Sequence, residues 1–327
     1  MIKLFTLRQP IVFLLLVLLV FLLKLPSFLL PVKLTGDIAA YTFFGELFDF
    51  LNQTKFISYI GGCSIVVLQT LHLSYIFEKH GVHYKSTYLP SLAYVIGTSL
   101  FNGMDVNITP VLLAQTPIML TLELYFDLYK SGTIREKIFI AMFVLGIGIL
   151  LYLPLAFLIP VFWICLFFVK IPSVRDFMVA TTGALLPVYF IFVFFYYTGE
   201  MEIFLTKMQG IFQFTTHIHF EESKPELVLL VIIGIIILIT SFKLYTNHFK
   251  NIIKTRIIQQ MLFVLSFITL FLLIFLLQFQ YQHLLLFGIP FSYLLSYFFL
   301  GKWRFLLDEI IAIGLLSFIL ILRFNNL

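Results

Sequence analysis

Apolar residues in this chain gather into runs long enough to approach the width of a hydrocarbon core, and polar residues fall between the runs rather than alternating within them. A membrane-crossing helix needs about 20 predominantly apolar residues for a core about 30 Å thick. On that measure spans are predicted at roughly 11–30, 57–77, 87–101, 109–127, 176–197, 226–246, 258–279, 284–300 and 305–322. The apolar stretch from Ile138 to Val169 is ambiguous. As one helix it would be about 48 Å long; broken near Tyr152–Pro154 it gives two helices of about 22 Å each.

Charge decides between these. Basic residues gather in the short loops that stay inside. With a helical hairpin over 138–169, Lys3, Arg8, Lys79, Lys85, Lys130, Arg135, Lys137, Lys170, Arg175, Lys243, Lys250, Lys254, Arg256, Lys302 and Arg304 share the inner side. Only Lys33, Lys55, Lys207, Lys224 and Arg323 lie outside. A single helix there splits the same residues evenly and leaves no orientation preference. The pattern therefore predicts an all-α polytopic membrane protein of about 11 transmembrane segments, N-terminus inside and C-terminus outside. The short hairpin helices would thin the bilayer locally or be sheltered by neighbours.

Composition agrees. With 61% hydrophobic and 11% charged residues, the chain has too little polar surface to clothe a water-soluble globule. It reads as a single transmembrane domain over 1–327, its first span resembling a signal peptide but continuing through Lys24 and Pro26 without a small-residue cleavage site. The net charge of +5 is a topology signal and does not imply a nucleic-acid partner. Cys63 and Cys165 sit inside apolar runs, where a thiol behaves as a small hydrophobe. Lys24 and Glu123 are placed within snorkelling reach of an interface, and Gln69 and His72 read as a helix contact. Gly146 and Gly148, mid-helix, read as packing positions.

On this topology the longer outer loops are 31–56 and 198–225, with brief ones near 102–108 and 280–283. In the first, Ile38, Tyr41, Phe44, Leu47, Phe48 and Leu51 recur at helical spacing with Glu46, Asp49 and Asn52 between them, predicting an interfacial amphipathic helix with Asp37 near its start. A carboxylate there serves either as a helix cap or as a base held at the membrane surface. Asp105, in the turn Asn102-Gly103-Met104-Asp105, is the natural second carboxylate, although turn chemistry alone also explains it. Lys33, Lys207, His219 and His283 are the outer groups able to meet a phosphate or another substrate group. His217, His219 and Glu221 alternate, which on an extended backbone puts them on one face; alternating histidines are a weak metal signal, and no metal site is assigned. The triplets Asn52-Gln53-Thr54 and Asn107-Ile108-Thr109 match the N-glycosylation pattern, a frequent coincidence in a bacterial-looking sequence.

The stretches Leu89-Pro90-Ser91-Leu92-Ala93-Tyr94, Thr109-Pro110-Val111-Leu112-Leu113-Ala114, Leu151-Tyr152-Leu153-Pro154-Leu155-Ala156 and Lys170-Ile171-Pro172-Ser173-Val174-Arg175-Asp176 carry a resemblance over most of the chain. The chain resembles multi-pass inner-membrane proteins of Bacteroidota whose activity is uncharacterised. This resemblance implies a bacterial inner-membrane location and an architecture, not a chemistry.

More distantly, the layout is similar to GT-C glycosyltransferases, which take a polyprenyl-phosphate-linked sugar and carry a catalytic Asp in the first outer loop. Asp37 occupies that position, alone where many members have a pair of acids. This likeness implies a polyprenyl-phosphate lipid as partner, Asp37 as general base and Asp105 as a positioning group. The alternatives are a non-catalytic subunit or scaffold of an envelope or secretion complex, bound to other envelope membrane proteins, and a transporter. The sequence names no cofactor.

Overall fold

The computed structural model describes residues 2–6, 9–29, 41–83, 87–101, 108–129, 132–210, 224–247, 251–275, 285–300 and 305–325. Every regular element among these described residues is helical. In chain order they are α1 (Ile2–Phe5), α2 (Pro10–Leu29), α3 (Gly45–Asn52), α4 (Lys55–Lys79), α5 (Leu89–Phe101), α6 (Pro110–Phe126) and α7 (Ile134–Leu151). After a 3₁₀ turn (Leu153–Phe157) come α8 (Leu158–Val169), α9 (Val174–Thr198), α10 (Met201–Gly210), α11 (Lys224–Asn247), α12 (Ile253–Phe275), α13 (Gly288–Leu300) and α14 (Phe305–Asn325). Lys55–Lys79, Val174–Thr198 and Ile253–Leu272 are long and apolar enough to cross a membrane; shorter apolar helices accompany them.

Local chemistry sets the helix ends. Thr109 accepts a hydrogen bond from the Leu112 amide at 3.1 Å and Pro110 takes the first helical position, so α6 starts there. Ser173 and Asp176 form a capping box at the start of α9, and Gly199, at φ +77°, ends that helix in the left-handed conformation that glycine adopts without a Cβ penalty. Tyr152 is extended and precedes Leu153–Pro154, which breaks the apolar run between α7 and α8.

That break turns the chain back on itself. Arg135, at the start of α7, and Lys170, just after α8, both bind the Asp176 carboxylate, at 3.1 and 2.7 Å, so both ends of the stretch meet at one point. Lys79 at the end of α4 reaches Glu123 and Asp127 at the end of α6, and Thr255 near the start of α12 donates to the Gly81 carbonyl. All these termini lie at one end of the bundle, the Lys79 end. At the opposite end, the Leu153 amide donates to the Tyr41 carbonyl at 2.8 Å, and the Asn52 side chain donates to the carbonyls of Phe48 and Ile108 at 2.8 and 2.9 Å.

The core is continuous through the helices. Gln69, 2% exposed, donates to the Leu112 carbonyl at 2.7 Å and to Thr116 at 3.0 Å while accepting from Tyr94 at 2.9 Å, tying α4, α5 and α6 together. Small residues let α7 press against both neighbours: a Cβ on Gly146 would meet the Ala184 carbonyl and Pro187, one on Gly183 the Phe139 carbonyl, and one on Gly148 Pro117.

Three features depart from the pattern expected of the sequence. Among the described residues the interfacial helix predicted through this segment begins only at Gly45, as α3, because Tyr41–Phe44 are held in a non-helical path. The Thr42 hydroxyl accepts from the Phe44 amide at 3.1 Å, and the Phe43 amide donates to the Leu150 carbonyl at 3.4 Å. The predicted loop 198–225 contains α10, formed after the Gly199 turn. Lys24, expected to snorkel, is 2% exposed and lies in the neighbourhood of Cys63.

Candidate Tyr41-end cavity and Lys79-end cluster

At the Tyr41 end a cavity of about 500 Å³ opens between the start of α3, the end of α9 and α10. Its wall is aromatic. Phe43 stacks on Phe204 with ring centroids 5.6 Å apart and packs on Phe195 at 5.8 Å, while Phe192 meets Phe204 edge-on at 5.5 Å. These contacts dock α10 onto α9 and the Thr42–Phe43 backbone. Glu46, Asp49 and Glu200 line the cavity and are exposed.

Lys207 is the cation of this cavity. It projects from α10, donates to the Thr42 carbonyl, and lies with Nζ 5.9 Å from the centre of the Phe43 ring. Burial pushes Lys207 below the ordinary lysine range, and the nearby Glu46 carboxylate pulls it back up. The cavity thus combines three carboxylates, one partly desolvated ammonium and an aromatic wall.

Of the candidate catalytic and substrate-binding residues, Lys207 is the one that lies within the described part of the chain. Lys33, Asp37, Asp105, His219 and His283 lie outside it, as do His217 and Glu221. Glu46, Asp49 and Glu200 count as outer acids in the sequence, but no short-range signal unites them with the lysine: Thr42 and Lys207 are 165 residues apart.

No family model matches the chain, and no curated protein or solved structure proved significantly similar to it. The functional reading therefore rests on the geometry of the two ends.

The Lys79 end is built from ion pairs. Lys79 Nζ lies 2.8 Å from Glu123 and 3.0 Å from Asp127, His72 Nε2 is 3.0 Å from the other Glu123 oxygen, and Lys137 donates to the Asp127 carbonyl at 3.3 Å. A second group centres on Asp176, whose side chain is 1% exposed and receives Arg135, Lys170 and both the amide and hydroxyl of Ser173. Sequence reasoning places Glu123 within snorkelling reach of an interface and assigns Asp127 and Asp176 no role beyond sidedness; their pairing follows from helix ends that only the fold brings together.

Proposed function

We propose that the protein is a multi-pass protein of the bacterial inner membrane, with the Lys79 end in the cytoplasm, and that its outer-end cavity takes the head group of a polyprenyl-phosphate-linked sugar in a GT-C-like transfer. The observation that carries this reading is the cavity itself: Lys207 and three acids around an aromatic wall, at the end away from the basic cluster. The orientation follows from the positive-inside rule, since Lys79, Arg135, Lys137, Lys170 and Lys254 belong to the other end. About 11 crossings follow if the shorter helices span in company with the three long ones.

In this reading the acceptor hydroxyl attacks the anomeric carbon as its proton passes to a carboxylate, for which the GT-C-like layout nominates Asp37, with Asp105 positioning the acceptor. The bond from that carbon to the phosphate oxygen breaks, and Lys207 offsets the charge left on the phosphate. Glu46, Asp49 and Glu200 hold sugar hydroxyls. Lys33, His219 and His283 remain candidate contacts for the substrate.

The test is binding in detergent. A polyprenyl-phosphate hexose should raise the melting temperature of the full-length protein. Polyprenyl phosphate without sugar should do so less, and Lys207→Met should lose most of the effect. An equal response to a neutral polyprenol would sink the reading. Asp37→Asn should retain binding while abolishing transfer.

A second reading has its own support. On α9 the aromatic side chains of Tyr189, Phe190, Phe194, Tyr196 and Tyr197 are exposed, Tyr197 at 91%. Toward its outer end this row suits either lipid or a partner helix, as expected of a non-catalytic subunit of an envelope complex. Co-purification of a stoichiometric membrane partner that Tyr196→Ala and Tyr197→Ala release would favour it.

A further inference from the structure

A group at the Lys79 end, opposite the proposed substrate cavity, has donors that the ion pairs do not use. Glu123 and Asp127 stand one turn apart at the end of α6, so their carboxylates share a face. His80 directly follows α4 and brings its ring to them: ligand atoms of His80, Glu123 and Asp127 all lie within 4.8 Å of one another, with His80 Nε2 3.8 Å from Asp127 Oδ1.

His80 is 3% exposed, yet neither of its ring nitrogens has a hydrogen-bond partner among the described residues. A buried imidazole is normally satisfied, because an orphaned donor or acceptor loses its water and gains nothing in return. The point between the two carboxylates is already occupied by a cation, the Lys79 ammonium at 2.8 and 3.0 Å. The Lys79 side chain is one-third exposed, so it has room to swing outward.

We propose that His80, Glu123 and Asp127 form a binding site for a divalent transition-metal ion, and that Lys79 is a tethered competitor that fills the site when the ion is absent. A tetrahedral zinc ion with bonds of about 2.1 Å places its ligand atoms about 3.4 Å apart. The present spacing therefore needs only a small inward movement once the ammonium leaves. His72, held 3.0 Å from the second oxygen of Glu123, orients that carboxylate from behind. Lys137 and Lys254 lie nearby and add positive charge. That field opposes ions held by charge alone and leaves the imidazole bond to decide, which selects a transition metal over magnesium or calcium.

Zinc is the probe. The full-length protein in detergent at neutral pH is titrated against a chelating dye, with His217 and His219 replaced by Ala in every sample so that the zinc counted belongs to this cluster. H80Q, E123Q and D127N should each lose at least tenfold in affinity. K79M should bind at least tenfold more tightly than the parent, an increase that a purely structural ion-pair cluster does not produce. K79M keeps all three ligands and decides the matter even where H80Q does not stay monodisperse. Zinc bound by neither the parent nor K79M, or K79M binding no more tightly than the parent, overturns the proposal.

Discussion

Asn52 shows how much one buried amide settles. Its nitrogen donates to Phe48 and Ile108, and its oxygen accepts from Ser58 and, at 3.4 Å, from the Ile108 amide. The side chain thus holds the α3–α4 turn to the start of α6, which the glycosylation-like triplet around it could not reveal. Asn52→Ala should cost about 2–3 kcal/mol, since buried partners are left unpaired. Asn52→Asp should fare no better, because a carboxylate cannot donate to two carbonyls; thermal melting in detergent reads both. His83 gives the pH dependence. It is buried between Phe77 and Tyr293, with Nε2 2.9 Å from Ser296, whose hydroxyl donates onward to the Tyr293 carbonyl. Burial pushes the imidazole down to about 3 from 6.5. Above pH 6.5 it is neutral whether folded or unfolded and contributes no slope. Below that, the unfolded chain binds a proton that the folded one refuses, so stability falls as the pH drops from 6.5 toward 3. Melting temperatures measured between pH 7 and 5 should decline less steeply in His83→Gln.

Most helices were legible because a long apolar run in lipid has few alternatives to helix. Their ends were legible where a cap stands in the sequence, as at Thr109–Pro110 and Ser173–Asp176. What was not legible came from contacts between distant segments. The amphipathic period through Tyr41 and Phe44 promised helix, but the Leu150 and Leu153 backbone holds that segment open. Helix α10 has mixed polarity and is fixed by aromatic packing on Phe43 and Phe192. Gly146 and Gly148 were legible as packing positions, though not their partners. A methyl on Gly146 would stand 2.5 Å from the Ala184 carbonyl, whereas one on Gly234 meets nothing within 4 Å. Gly146→Ala should therefore destabilise by roughly 1–3 kcal/mol, and Gly234→Ala should be close to neutral or slightly stabilising. Equal melting temperatures for the two variants would contradict the close α7–α9 crossing.

At the scale of the molecule the two ends are chemically unlike. One carries Lys79, Arg135 and Lys170 bound to acids, with Lys137 on the Asp127 backbone carbonyl; the other carries exposed Glu46, Asp49 and Glu200 around a single partly buried lysine. Lys207 was legible as a candidate because its loop falls on the side that the sequence predicts to carry few basic residues. Its cavity was not, because it joins residues 43–49 to residues 194–207, segments far apart in the sequence. The proposed zinc cluster was hidden for the same reason: Lys79-His80 and Glu123-x-x-x-Asp127 match no spaced metal motif. Sidedness underlies every functional reading, and chemical labelling tests it directly. The native Cys63 and Cys165 are buried, so single cysteines introduced by Glu200→Cys and Glu136→Cys can be compared on a quiet background. In spheroplasts, a membrane-impermeant maleimide should label the Glu200→Cys variant and spare Glu136→Cys until the membrane is opened. Labelling of Glu136→Cys in sealed spheroplasts, with Glu200→Cys protected, would place the cavity in the cytoplasm and contradict the account.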